Sequence, residues 1–404
     1  MAERMTEQAG RAGEVFRAFL KLGLTSFGGP IAHLGYFRDE LVTRRRWLDD
    51  AAYADLVALC QFLPGPASSQ VGFALGLLRA GWLGALAAFT AFTLPSALLL
   101  LLFAASAARL DGPVGAGALE GLKIVAVAIV AQAVWGMART LCPDRPRAAI
   151  AVGAVALLAF LPAATGMIAA IALGAAAGLA LLRGTPANGG GPVALPATLP
   201  VTRAQATGAL AAFVALLFLL PLLAGTSQAM AVLDAFYRSG ALVFGGGHVV
   251  LPLLKAEIVA PGWMTPDTFL AGYGAAQAVP GPLFTFAAYL GAALGPAPNG
   301  ILGAALALGA IFLPGFLLLV GVLPHWDRVR RLTWAQSALR GANAAVVGIL
   351  GAALYDPVFT SAIADLRDLA LALACFVLLT LWNTPPWIVV LVAATGGILL
   401  ALLA

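Results

Sequence analysis

Apolar runs such as "FTLPSALLLLLFAASAA" (92–108) and "LAAFVALLFLLPLLAG" (210–225) constrain this chain more than any other feature. They approach the ~20 residues that carry a helix across ~30 Å of hydrocarbon. They lack the alternation of polarity that marks the strands of a membrane barrel. Of the 404 residues, 61% are hydrophobic and only 10% are charged, whereas soluble domains carry roughly 25% charged residues. The chain is therefore expected to be an all-α polytopic protein of the lipid bilayer. The polar start, "MAERMTEQAGRAGEVFR", has no apolar stretch and cleavage site behind it and reads as a cytoplasmic lead-in rather than a signal peptide. Cys60, Cys142 and Cys375 lack metal-ligand spacing and read as buried thiols. The net charge of +5 lies at segment ends, which is a topology signal and not a nucleic-acid patch.

The sequence repeats itself. "FLKLGLTSFGGPIAHL" (19–34) aligns with "FYRSGALVFGGGHVVL" (236–251), so that Phe19, Lys21, Gly23, Phe27, Gly28 and Gly29 meet Phe236, Arg238, Gly240, Phe244, Gly245 and Gly246. "WLDDAAYADLVALCQFLPGPASS" (47–69) aligns with "WMTPDTFLAGYGAAQAVPGPLFT" (263–285), and "ALEGLK" (118–123) with "ALRGAN" (338–343). The offset stays between 216 and 220 throughout. Matched features in one order at a near-constant offset mark a duplication. Each half carries two helix-breaking signals, FGG(P/G) and Q-x-x-PGP. Glycine and proline cost ~1 and ~3 kcal/mol relative to alanine inside a helix.

Charge placement orients the halves. Arg44, Arg45 and Arg46 have no counterpart in "KAEIVAPGWMTPD", whereas the basic "HWDRVRR" (325–331) faces the weakly charged "ARLDGPVG" (108–115). By the positive-inside rule the halves are inverted, and the apolar segment 204–224, unmatched in the first half, performs the flip. Treating 14–37 and 48–80 as re-entrant hairpins puts nearly all arginine clusters on one side. Legs of roughly 11–16 residues reach ~16–24 Å, enough to enter but not to cross. The expected architecture is two inverted-topology repeats, each with two broken, re-entrant helical hairpins and about four spanning helices, joined by one extra helix. The corresponding divisions are 1–183 for the first repeat, 184–203 for a Gly/Pro-rich linker, 204–228 for the extra helix and 229–404 for the second repeat. Broken helices at membrane depth survive only where protein or a watery cavity receives the freed backbone groups, which is the pattern of secondary transporters.

With "SFGGPIAHLGYFRDE", "QFLPGPASSQ", "FGGGHVVLPLL" and "QAVPGPLFTFAAYLG" in view, the chain resembles the chromate ion transporter family in its long, two-domain form, over nearly its whole length. The resemblance implies export of chromate, with sulfate as its look-alike, across a bacterial inner membrane, and hence chromate resistance. It leaves room for a homodimer and implies no cofactor and no nucleic acid.

The residues at the breaks suit a tetrahedral dianion. Gly28, Gly29, Gly245 and Gly246, with Gly65 and Gly281 of the PGP turns, place helix ends there. Free helix N-termini offer unpaired N–H groups and partial positive charge. Ser68, Ser69 and Thr285 could donate hydroxyl hydrogen bonds, and Gln61 and Gln277 amide ones. The blander reading is that these residues cap and pack half-helices. Lys21 and Arg238 occupy equivalent positions about two turns before each FGG break and are expected to compensate the anion, the alternative being interfacial snorkelling. Lys123 is expected to tune the site, with an internal pair to Glu120 as the alternative. His33 and His248 could couple protons or simply be hydrogen-bonded and structural. Asp39, Glu40 and Asp55 could also carry protons, but "FRDELVTRRRW" reads first as a solvated loop and interfacial helix.

Two other classes compete. A membrane-embedded enzyme needs clustered catalytic groups, but the chain has no HExxH, GxSxG or P-loop. A channel is compatible with the repeat and differs in lacking strict coupling to a gradient. With no nucleotide-binding motif, the expected drive is an ion gradient or the membrane potential.

Overall fold

The apolar run that begins at the first PGP turn is not one rod. In the computed structural model Ala67–Ala107 leaves helical geometry at Ala80 (φ −143°) and Gly81 (φ +64°). A Cβ on Gly76 would lie 2.3 Å from the Gly84 carbonyl, so residues 67–79 fold back against the span that follows. In the second half the same reversal is a loop between Phe286–Ala293 and Gly300–Val322, where Gly291 and Gly303 touch in the same manner. The structure describes residues 2–107, 112–182, 195 and 200–403, all of whose regular elements are helical. Most of the linker expected at 184–203, and Arg109 and Asp111, lie outside the described residues.

Both hairpins of the first half start and finish at one end of the molecule. Ala2–Thr25 runs inward, Gly28 and Gly29 break it with φ of +99° and +79°, and Gly29–Phe37 returns into a π-helical turn, Arg38–Arg44. Asp50–Phe62 then runs inward to the PGP turn and residues 67–79 return. Glu14 ties the feet together, accepting from Arg79 (3.0 Å) and Trp47 Nε1 (3.1 Å) and lying 3.8 Å from Arg45. The second half repeats this order. Gln228–Ala241 runs in, Gly245 and Gly246 break it, and the return leg also ends in a π-turn, Lys255–Val259. Pro266–Ala276 and residues 283–293 form its PGP hairpin. Matched side chains cap the inward legs of the PGP hairpins, Asp49 accepting from Ala52 N and Thr265 from Thr268 N.

The remaining helices exchange partners between the halves. Arg145–Phe160 and Ala163–Leu181 of the first half pack on Thr333–Ala353 of the second, while Leu366–Thr380 and Pro386–Leu403 pack on Gly112–Leu141. A Cβ on Gly121 would lie 2.1 Å from Ala393 O, and one on Gly341 would lie 2.0 Å from Gly174 O. Such small-residue seams let helices approach at backbone distance, the usual way helices associate where lipid removes the hydrophobic driving force. Between the halves the core is aromatic, with Phe73 stacked on Phe316 (4.4 Å) and Phe89 edge-on to Phe312 (5.1 Å).

Among the described residues, six helices are long and apolar enough to span a membrane: Ala67–Ala107, Gly112–Leu141, Arg203–Thr226, Gly300–Val329, Thr333–Ala362 and Pro386–Leu403. The outer surface is apolar, with Phe160, Phe218, Leu222 and Ile301 exposed, as a lipid-facing surface requires. The unmatched Arg203–Leu223 helix opens with a capping box between Thr202 and Gln205 and packs on Gly300–Val322 and Gln228–Ala241.

Candidate functional site

The four breaks meet in the interior and are bonded crosswise. Gly65 N–H, in the first PGP turn, donates to Val243 O at 2.8 Å, just before the second FGG break. Gly281 N–H, in the second PGP turn, donates to Ser26 O at 2.9 Å, just before the first break. Ser26 and Val243 are equivalent at the offset of 217, so the two bonds are one contact made twice. Gly65 and Gly281 have φ of +117° and +97°, and added Cβ atoms would lie 3.1 Å from Gly315 Cα and 2.8 Å from Ser96 Oγ. Both the backbone conformation and the close approach therefore call for glycine. Each turn is thus a fixed joint between halves, and these two amides are engaged with carbonyls.

Around the crossing lie buried polar groups. Gln70 Nε2 donates to Pro64 O (3.1 Å) and to Gly315 O (2.9 Å). His33 Nδ1 lies 3.4 Å from Ser68 Oγ, and His248 Nδ1 lies 2.7 Å from the hydroxyl of Tyr273. Both histidines thus have hydrogen-bond partners. Thr285 Oγ1 donates to Pro282 O at 2.7 Å, capping its own turn. Ser26 Oγ, His33 Nε2, Ser69 Oγ, Gln70 Oε1 and Thr93 Oγ1 in the first half, and Gln277 Nε2 in the second, are buried without a protein partner. Buried polar groups are normally satisfied, so orphaned ones in the walls of broken helices mark places that a polar ligand or water can occupy. Gln61, the counterpart of Gln277, is exposed in a cavity of about 520 Å³.

The cations that the sequence placed near the breaks have carboxylate partners. Lys21 Nζ lies 2.7 Å from Glu40, which also holds Arg44 (2.9 Å) and Arg45 (2.8 Å). Arg238 bonds Asp234 and lies 3.2 Å from Glu257. Glu40 and Glu257 are equivalent at the same offset of 217, so the ion pair is duplicated with the break. Glu40 is not the solvated loop residue expected. Only 8% of its side chain is exposed, because the π-turn rolls it back against the first helix. Burial raises its carboxyl, but the hydrogen bonds from Lys21, Arg45 and Arg44 outweigh burial and hold it at about 2. Lys123 pairs with Glu120 and also reaches Asp267 at 3.1 Å, across to the second half.

The pairing of Glu40 and Glu257 with the matched cations is not among the sequence expectations. Their signal was present, since "RDELV" (38–42) and "KAEIV" (255–259) align at the offset of the breaks. Asp55, expected with Asp39 and Glu40 to be solvated or interfacial, instead lies 3.5 Å from Arg330.

A family model described as chromate transporter matches residues 13–179 and 230–398, one match over each half. The chain belongs to the chromate transporter family. It is 29% identical over 354 residues to a chromate transport protein of Pseudomonas aeruginosa, covering 85% of this chain and 80% of that one. It is 28% identical over 372 residues to a chromate transport protein of Cupriavidus metallidurans, covering 89% and 86%. It is 27% identical over 409 residues to a probable chromate transport protein of Synechococcus elongatus, covering 94% and 93%. No solved structure matches this chain.

Proposed function

We propose that this transporter exports chromate, a tetrahedral dianion, from a bacterial cytoplasm across the inner membrane by a secondary, gradient-driven mechanism, and so confers chromate resistance. The observation that carries this reading is the crosswise bonding of Gly65 to Val243 and of Gly281 to Ser26. Two matched pairs of hairpins meeting at one interior point suit alternating access, since movement of either half would move the other's break. The hairpin feet of the first half gather at Glu14, Arg45 and Arg79, and in the second half the foot at Lys255 pairs with Asp356, just past the Thr333–Ala353 helix. In this reading the first set faces the cytoplasm and the second the outside, so the repeats are inverted and the N-terminus is cytoplasmic.

The substrate is held at the crossing by neutral donors. Ser69 and Gln277, orphaned and buried, together with Ser68 and the glycine backbones at Gly28, Gly29, Gly245 and Gly246, would replace part of the anion's hydration shell. Lys21 and Arg238 set the potential of the hairpins from within their ion pairs rather than standing bare before the anion. The chain works as a transporter and not as an enzyme. Sulfate or another oxyanion is the alternative cargo, since tetrahedral dianions of similar size present the same oxygens. Uptake of labelled chromate and sulfate into inverted membrane vesicles, with and without a pH gradient, tests the reading. Uptake of neither anion overturns it.

A further inference from the structure

Two cavities flank the crossing, and they are the same cavity built twice. The first, about 520 Å³, is lined by Asp55, Gln336, Leu339, Arg340 and Asn343 among others. The second, about 580 Å³, is lined at the equivalent positions by Ala271, Ala116, Leu119, Glu120 and Lys123. The four positions on the spanning helix correspond at an offset of 220, and Asp55 and Ala271 at 216. Shape is repeated but charge is not. The first cavity is lined by two guanidiniums, Arg330 and Arg340, and one carboxylate, Asp55, with Asp327 of the adjoining loop also 3.4 Å from Arg330. In the second, Lys123 is outnumbered by Glu120 and Asp267, both of which it bonds.

Each cavity also has a definite place. Arg330 belongs to the basic loop at the end where the first-half hairpins have their feet, and it reaches Asp55 on the inward leg of the first PGP hairpin. At the inner end, Asn343 Oδ1 lies 3.6 Å from where a Cβ on Gly245 would stand, so the cavity reaches the second FGG break. Gln61, three residues before the first PGP turn, lines the same wall. The first cavity therefore connects a basic mouth to the crossing along amide and guanidinium donors.

We infer that the cavity around Arg340 is the loading vestibule for the oxyanion and that its counterpart around Glu120 is the release vestibule. This rests on the carrier reading above. A cleft lined by one sign of charge concentrates ions of the other sign, and low-dielectric walls focus that field. A dianion is drawn into the Arg330–Arg340 cavity and repelled from the one where Glu120 and Asp267 prevail. Two otherwise equivalent vestibules thereby differ in their apparent affinity for the anion, while the gradient sets the net direction. Arg340 and Asn343 are then specificity-determining residues, standing where the other half has Glu120 and Lys123.

The test uses the full chain in vesicles with the loading side outward. Arg340→Gln is expected to raise the KM for labelled chromate about tenfold, equivalent to about 1.4 kcal/mol, with Arg340→Lys keeping most of the affinity. An unchanged KM in Arg340→Gln, with the wild type transporting normally, overturns the vestibule assignment. Absence of chromate and sulfate transport in the wild type instead overturns the carrier reading. A second measurement is independent of transport. In a background lacking Cys60, Cys142 and Cys375, Ala58→Cys in the first cavity should react faster with an anionic than with a cationic thiosulfonate. Ala116→Cys in the second should show the reverse. The same preference at both sites overturns the opposed polarity.

Discussion

Lys21 Nζ stands 2.7 Å from Glu40, and 217 residues later Arg238 makes the equivalent pair with Glu257. In each half a cation on the inward leg of the FGG hairpin is locked to a carboxylate in the π-turn that ends the return leg. The hairpins therefore carry their own latches, and the charge first expected to face the anion is largely matched within the protein.

Acid should release the first latch. Glu40 is held at about 2 in the folded chain against 4.5 when free, so its contribution to stability is complete above 4.5 and is lost as pH falls through about 2. The melting temperature of the purified protein in detergent should fall over that window. In Glu40→Gln this component should be absent and the neutral-pH melting temperature lower, because Lys21, Arg44 and Arg45 lose their shared partner.

Alanine at either PGP glycine should disable transport without preventing insertion. The positive φ costs of order 1–3 kcal/mol for a non-glycine residue, and the new Cβ would press on Gly315 or Ser96. Gly65→Ala and Gly281→Ala should each lower vesicle uptake at least tenfold at normal membrane abundance, as should Pro64→Ala combined with Gly65→Ala. Wild-type uptake in either single variant would show that the joint is dispensable.

The seams where the halves exchange helices should resist any added bulk. A side chain at Gly121 or Gly341 has backbone about 2 Å away, so Gly121→Val and Gly341→Val must part the helices. Each is expected to cost several kcal/mol, in the range of severe overpacking, read as a lower melting temperature and loss of the monodisperse peak in size-exclusion chromatography. A wild-type melting temperature would contradict the close packing.

The proposed sidedness can be tested at the hairpin feet. With Cys60, Cys142 and Cys375 removed, Thr43→Cys and Thr333→Cys should label only from the cytoplasm and Pro261→Cys only from outside. Labelling of Thr43→Cys from outside would overturn the inverted arrangement.

Much of this was legible in the sequence because membrane helices advertise themselves twice, by apolar length and by the breakers that interrupt it. The repeat then fixed which breaks correspond. The hairpin reading of 14–37 and 48–80 rests on charge placement and on legs too short to cross, and in the structure Glu14 joins Arg45 to Arg79. Contacts between the halves were not legible. No local pattern shows that Gly65 bonds Val243, or that Gly121 meets Ala393, since each rests on residues more than 170 positions apart. Glu40 was misjudged for a related reason. In "FRDELVTRRRW" its neighbours are those of a solvated loop, and only the π-turn, invisible to a 3.6-residue periodicity, turns it inward.

The central claim is that the crosswise-bonded breaks carry a tetrahedral oxyanion outward. Uptake of labelled chromate into inverted vesicles tests it most directly, with labelled sulfate in parallel and each measured with and without an imposed pH gradient. The account predicts saturable chromate uptake that depends on the gradient or the membrane potential and collapses in Gly65→Ala. Uptake of neither anion, or chromate flux indifferent to both driving forces and unaltered in Gly65→Ala, would contradict it.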